Sequence, residues 1–195
     1  AIGYFANKLN TTGTNNTSVG REALEANTTG ASNTAVGYQS LTANTTGYEN
    51  IGIGRCALVK NTEGFQNTGL GSLSLLCNIT GDCNVAVGHT ALQNNTANNN
   101  TAVGNQSLRA NTTGSSLTAV GHLALSANTT ATLNTAVGQC ALKTNTTGSQ
   151  NSAFGVPALL CNTTGACNSA FGRLALCANT TACNNTAVGY ASLRA

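Results

Sequence analysis

Charge is scarce in this chain: Asp, Glu, Lys and Arg together make up 7% of 195 residues. The basic residues Lys8, Arg21, Arg55, Lys60, Arg109, Lys143, Arg173 and Arg194 are scattered, with no cluster and no interleaved aromatics. No nucleic-acid partner is therefore expected, even at a net charge of +3. The acids Glu22, Glu25, Glu49, Glu63 and Asp82 are equally dispersed, so no carboxylate pair is set up for acid–base chemistry. A single Asp excludes calcium-binding rolls, which need recurring acidic ligands. Met and Trp are absent and aromatics reach only 4%. No apolar run approaches the ~18 residues of a membrane span, and no secretory leader is visible ahead of Ala1, so the chain reads as a processed or trimmed product. His89 and His122 stand two repeats apart, about 10 Å at strand spacing, too far to share a ligand. The expectation is a protein that is not an enzyme and holds no cofactor or metal.

What fills the chain is a period. Gly3, Gly20, Gly37, Gly54, Gly71, Gly88, Gly104, Gly121, Gly138, Gly155, Gly172 and Gly189 recur every 17 residues, with one step of 16 between Gly88 and Gly104. Such a period marks a stacked repeat whose units contact their neighbours and do not fold alone. The template is Thr-Ala-Val-Gly, two variable residues, Ala-Leu, two variable residues, Asn-Thr-Thr-Gly, two variable residues, Asn. Glycines and the Asn-Thr-Thr run leave no stretch long enough for a stable helix, and β-branched residues dominate the apolar columns. The fold expected is all-β, a parallel β-solenoid (β-roll) of about twelve 17-residue coils, one repeat domain over residues 1–195 with no capping unit at either end.

Two short segments per repeat read as strands, one ending at the glycine and one at Ala-Leu. The bulky residue before each glycine, from Ile2 and Val19 to Phe171 and Val188, is expected to point inward. The Ala, Ser or Gly before it implies close approach, either of the next coil's wall or of another chain.

Two asparagine columns run through the repeats. One opens Asn-Thr-Thr-Gly; the other, broken by Leu117, ends the unit. Identical amides stacked coil on coil can bond along the axis as ladders. The first column has a competing reading, because Asn10, Asn27, Asn44, Asn78, Asn111, Asn128, Asn145, Asn162 and Asn179 are also N-glycosylation acceptors.

Six of the eight cysteines stand in pairs six apart across the Asn-Thr-Thr turn: Cys77 and Cys83, Cys161 and Cys167, Cys177 and Cys183. A disulfide across each turn is one reading. Pairing between adjacent coils, Cys161 with Cys177 and Cys167 with Cys183, is the other, which Cys77 and Cys83 have no neighbour to follow. Cys56 and Cys140 share a row two residues after their glycines, five coils or roughly 24 Å apart, and are candidates for an interchain disulfide. No Cys-x-x-Cys or adjacent His completes a metal site.

The unit Thr-Ala-Val-Gly-x-x-Ala-Leu, at residues 34–41 and 135–142, resembles the head repeats of trimeric autotransporter adhesins and the related repeats of phage-type tail fibres. That resemblance implies a parallel β-roll, commonly three chains side by side, in a projecting stalk or adhesive head. The adhesin repeat is shorter and lacks both the Asn-Thr-Thr-Gly turn and its cysteines, so no binding residue carries over. The function expected is an extracellular structural fibre or filament subunit at a cell or virion surface. It would assemble end to end or side by side with copies of itself, as filament or trimer, and touch glycans or a surface. The alternative is an ice-binding (antifreeze) solenoid using the threonine columns beside the two asparagine columns, of which the two threonines of Asn-Thr-Thr are adjacent and lie in a turn.

Overall fold

The computed structural model describes residues 1–194, and among these there is no helix. The strands are β1 (Thr17–Val19), β2 (Thr34–Val36), β3 (Ile51–Ile53), β4 (Thr68–Leu70), β5 (Val85–Val87), β6 (Thr101–Val103), β7 (Thr118–Val120), β8 (Thr135–Val137), β9 (Ser152–Phe154), β10 (Ser169–Phe171) and β11 (Thr186–Val188). They form a single sheet in sequence order, with parallel neighbours throughout. Register follows the motif, so Thr17 faces Thr34, Ser18 faces Ala35 and Val19 faces Val36. A parallel bridge from Ile2 to Val19 carries the ladder into the first coil. The protein is thus a parallel β-solenoid, its sheet about 50 Å long at ~4.8 Å per strand. The 16-residue step leaves the sheet undisturbed, since β5 still pairs with β6 from Val85 to Thr101.

Two expectations about the strands are corrected. The residue before each glycine faces outward: Ile53 is 41% exposed and Phe171 42%, whereas the small residue between the two outer strand positions is buried in every strand. A three-residue strand puts one side chain on one face and two on the other, and this interior has room only for the one. At Gly52 a Cβ would meet Ser40 Oγ at 2.6 Å and Leu41 Cγ at 3.2 Å. The small column is therefore set by the chain's own packing.

The Ala-Leu segment, in turn, is no strand. Its leucines adopt left-handed backbone, with φ of 54° at Leu24, 51° at Leu41 and 50° at Leu159. The turn is tied by Ala23 N–H to Gly20 O (3.3 Å) and Asn27 N–H to Leu24 O (3.2 Å), while Leu24 N–H reaches Ser40 O of the next coil (3.0 Å). Left-handed backbone costs a non-glycine residue roughly 1–2 kcal/mol. Burying a leucine returns about 1.5–3 kcal/mol, and Leu24, Leu41 and Leu159 are fully buried. The column keeps its leucine because side-chain burial outweighs backbone strain.

The other half of the interior is polar, and both asparagine ladders form. In the first, Asn27 Nδ2 donates to Asn10 Oδ1 (2.8 Å) and to Gly30 O (3.0 Å), and Asn44 repeats the pattern one coil on (2.9 Å each). In the second, Asn33 N–H donates to Asn16 Oδ1 (2.9 Å) while its Nδ2 reaches Gly47 O (2.8 Å). Asn27, Asn33 and Asn44 are fully buried, which is tolerable because their donors and acceptors are matched along the axis.

Leu117 replaces one rung of the second ladder and is itself buried, its N–H donating to Asn100 Oδ1 at 3.0 Å. Leu117→Asn is expected to restore the rung, offering Oδ1 to the Asn134 N–H as Asn134 does to Asn151 (2.8 Å). The variant should unfold within ~1 kcal/mol of the wild type in urea, whereas Leu125→Asn should lose the ~2–5 kcal/mol of an ordinary buried-leucine loss. Equal losses in the two variants would refute the ladder account.

Candidate interaction surface

The outward strand positions make two ranks along the rod. One holds Thr17, Thr34, Ile51, Thr68, Val85, Thr101, Thr118, Thr135, Ser152, Ser169 and Thr186; the other runs from Val19 to Val188 and is wholly apolar. No charged residue occurs in any strand. Phe154 and Phe171 stack on this face with centroids 5.1 Å apart and planes at 7°. Sequence reasoning missed this surface, although a signal was available. A column that accepts Val, Ile, Leu and Phe on neighbouring coils tolerates changes of volume that a close-packed interior would not.

Beside the apolar rank, the residue after each glycine forms a mixed column. Arg21 lies between Tyr4 and Tyr38, its guanidinium carbon 6.0 and 5.8 Å from their ring centroids. It also bonds Glu22 (2.9 Å), whose other oxygen accepts from Gln39 Nε2 (2.7 Å). The Gln39 amide, with Arg21, holds the Glu22 carboxyl below its ordinary range. His89 and His122 are exposed in the same column. This edge offers cations and rings, but its best-placed cation is already paired.

The short coil breaks the rod at its Asn-Thr-Thr turns. Only five steps separate Asn95 from Asn100 where other coils have six, and the first ladder slips. Asn95 Nδ2 turns to Ala97 O (2.7 Å), and Asn78 Oδ1 is left buried without a partner. A notch of about 490 Å³ opens there, lined by Thr80, Thr96, Asn98, Asn99, Thr113 and Ser115. It is uncharged and open to solvent.

The sequence candidates fall as follows. Asn27, Asn44, Asn78, Asn111, Asn128, Asn145 and Asn162 are fully buried, so their amide nitrogens have no room for a sugar in the folded rod. Asn10 and Asn179 are half-buried and belong to the same ladder. Cys83, Cys161, Cys167 and Cys183 are exposed thiols, and Cys77 and Cys177 are half-buried. Cys140 is also half-buried, but Cys56 is only 9% exposed, its Sγ lying 3.8 Å from Gln39 Oε1. The expected outward row of Cys56 and Cys140 is thus corrected at Cys56, which packs beneath its neighbours. Among the described residues no three His, Cys, Asp or Glu side chains gather as a metal site. Comparison with family models, with curated proteins and with solved structures finds no match to this chain.

Proposed function

We propose that the chain is a rod segment of an extracellular structural fibre, at a cell or virion surface, that associates side by side with copies of itself through the outward sheet face. The observation that carries this reading is the uncharged, apolar-edged stripe that continues through all eleven strands in register. A contiguous apolar stripe left on the surface marks an interaction face, and this one carries no charge. A copy of the same chain is the occupant favoured by geometry, because only a surface with the same ~4.8 Å repeat meets every coil alike. At ~3.3 Å per residue across three residues and about 50 Å along the axis, the strand face offers roughly 500 Å². A stable pair needs about 800 Å² per partner, so the neighbouring column with Tyr38 and Tyr190 would have to join the contact. The similarity to trimeric adhesin heads and tail-fibre repeats supports the same kind of assembly.

Val103→Glu with Val137→Glu should leave the far-UV circular dichroism unchanged, because both positions face out. It should convert wild-type assemblies into monomers in sedimentation velocity. A wild-type chain that sediments as a monomer at every concentration would end the proposal.

The same face also gives a second reading its best observation. Thr34, Thr68, Thr101, Thr118 and Thr135 stand outward in one rank, which suits ice binding better than the turn threonines. In the turn, the first hydroxyl is committed to the next coil, as in Thr28 Oγ1 to Thr45 O (3.1 Å). Ile51 and Val85 interrupt the strand rank. Thermal hysteresis lost in Thr101→Tyr with Thr118→Tyr would favour ice binding over fibre assembly.

A further inference from the structure

Four cysteines in the two coils that follow Gly155 and Gly172 are set on matching diagonals. Counted from Gly155, Cys161 and Cys167 fall six and twelve residues on; from Gly172, Cys177 and Cys183 fall five and eleven on. The coils themselves stack in the common register, with β9 on β10 and β10 on β11. Each cysteine of the second coil is therefore displaced by one residue from its counterpart in the first. We infer that Cys161 pairs with Cys177 and Cys167 with Cys183, so that two disulfides clamp successive coils on both flanks of the Asn-Thr-Thr turn.

The backbones already meet: Cys161 N–H donates to Cys177 O at 3.1 Å. On the other flank, Cys183 Sγ lies 3.2 Å from the backbone nitrogen of Ala166, the residue before Cys167. Strand spacing of ~4.8 Å and a rise of ~3.3 Å put a one-residue diagonal at about 5.8 Å between Cα atoms. That is the middle of the range disulfides span.

Thiols in these columns turn along the rod axis toward the preceding coil, as Cys183 Sγ does toward Ala166. Cys167 Sγ likewise contacts Gln150 Oε1 (3.1 Å) in the coil before it, and turns about its Cα–Cβ bond to meet Cys183 in the coil after. Burial, and the Cys161 thiol next to it, push the Cys177 thiol up, while Cys161 itself is exposed to an incoming oxidant.

Oxidation needs a small disulfide such as glutathione disulfide. The Cys161 thiolate attacks one of its sulfurs, forming a mixed disulfide and releasing one glutathione thiolate. The Cys177 thiolate then displaces the second. Two protein thiols lose two protons and two electrons, one protein S–S bond forms, and the oxidant's S–S bond is reduced to two thiols. The same exchange joins Cys167 to Cys183.

Tryptic cleavage separates the alternatives, because Lys143, Arg173 and Arg194 bound one peptide with Cys161 and Cys167 and a second with Cys177 and Cys183. Cys77 and Cys83 fall together in residues 61–109 and do not confuse the pattern. The full chain, equilibrated with glutathione disulfide, is alkylated, denatured in acid and digested without reductant. The expected product is one linked species that splits into the two peptides on reduction. Two separate peptides, each with an internal bond, would overturn the pairing, and so would four alkylated thiols. Cys167→Ser with Cys183→Ser should still give linked peptides through Cys161 and Cys177. Cys161→Ser with Cys183→Ser should give none, and a link there would also overturn the assignment.

Discussion

Gly121→Val should cost the rod about 2–6 kcal/mol. Gly121 has φ of 139°, in a region that side-chain-bearing residues avoid. Holding a non-glycine residue there costs of order 1–3 kcal/mol. A Cβ would also sit 2.6 Å from the Gly138 carbonyl oxygen and 2.7 Å from its carbon, both backbone atoms of the next coil. Those atoms are fixed by the ladder, in which Gly138 N–H donates to Val120 O at 2.8 Å, so overpacking adds roughly another 1–3 kcal/mol. At about 2–4 °C per kcal/mol for a chain this long, the melting temperature should fall by ~4–24 °C. Gly121→Ala should lose nearly as much, because the first carbon makes the clash. Gly189 separates the two causes: its φ is 118°, yet a Cβ there meets nothing within 4 Å. Gly189→Ala should therefore cost only the conformational part. If Gly121→Ala melts together with Gly189→Ala, stacking of the glycine column is not what fixes this residue.

The period, the parallel stacking and the asparagine ladders were legible because each follows from identity at a fixed interval: whatever Asn27 does, Asn44 does one coil on. Direction was not legible. Inward and outward readings of Thr-Ala-Val differ by one residue, and hydrophobicity alone favoured valine as the core residue. What overrules it is volume, since a coil already filled by a leucine and two asparagines accepts alanine and not phenylalanine at its last inward position. The left-handed leucines were illegible for a different reason. Local propensity argues against that backbone for leucine, and only the tertiary reward of burying Leu24 and its column explains it. The outward face was hidden by the same misreading, as an apolar rank assigned to the interior cannot also be a surface. At Cys56, sharing a column with Cys140 did not mean sharing exposure, because the neighbouring side chains differ from coil to coil.

A polar interior makes the ladder the second point of greatest sensitivity, and Asn145→Asp should show it most sharply. Asn145 Nδ2 donates to Asn128 Oδ1 (3.2 Å) and Gly148 O (2.9 Å), and its Oδ1 accepts from Asn162 Nδ2 (2.8 Å). An ionised carboxylate of the same shape keeps the last bond and turns the first two into oxygen–oxygen repulsions, in a position with no solvent access. Uncompensated buried charge costs about 3–5 kcal/mol, so at pH 7 the variant should unfold at much lower urea than the wild type. Burial disfavours the charged form, so the introduced carboxyl has a higher pKa folded than unfolded, where it is ~3.9. The folded state then binds more protons between the two values, and stability falls as pH rises through that window. Below about pH 4 the neutral acid can donate one hydrogen bond again, and most of the loss should be recovered relative to the wild type at the same pH. Asn145→Ala should lose stability as well, at ~1–3 kcal/mol for the orphaned Asn128 Oδ1 and for the bonds that Gly148 O and the Asn162 amide give up, but without pH dependence. A variant Asn145→Asp that matches the wild type at pH 7 would mean that water reaches the ladder, and the asparagines would then be turn formers and not the core of the rod.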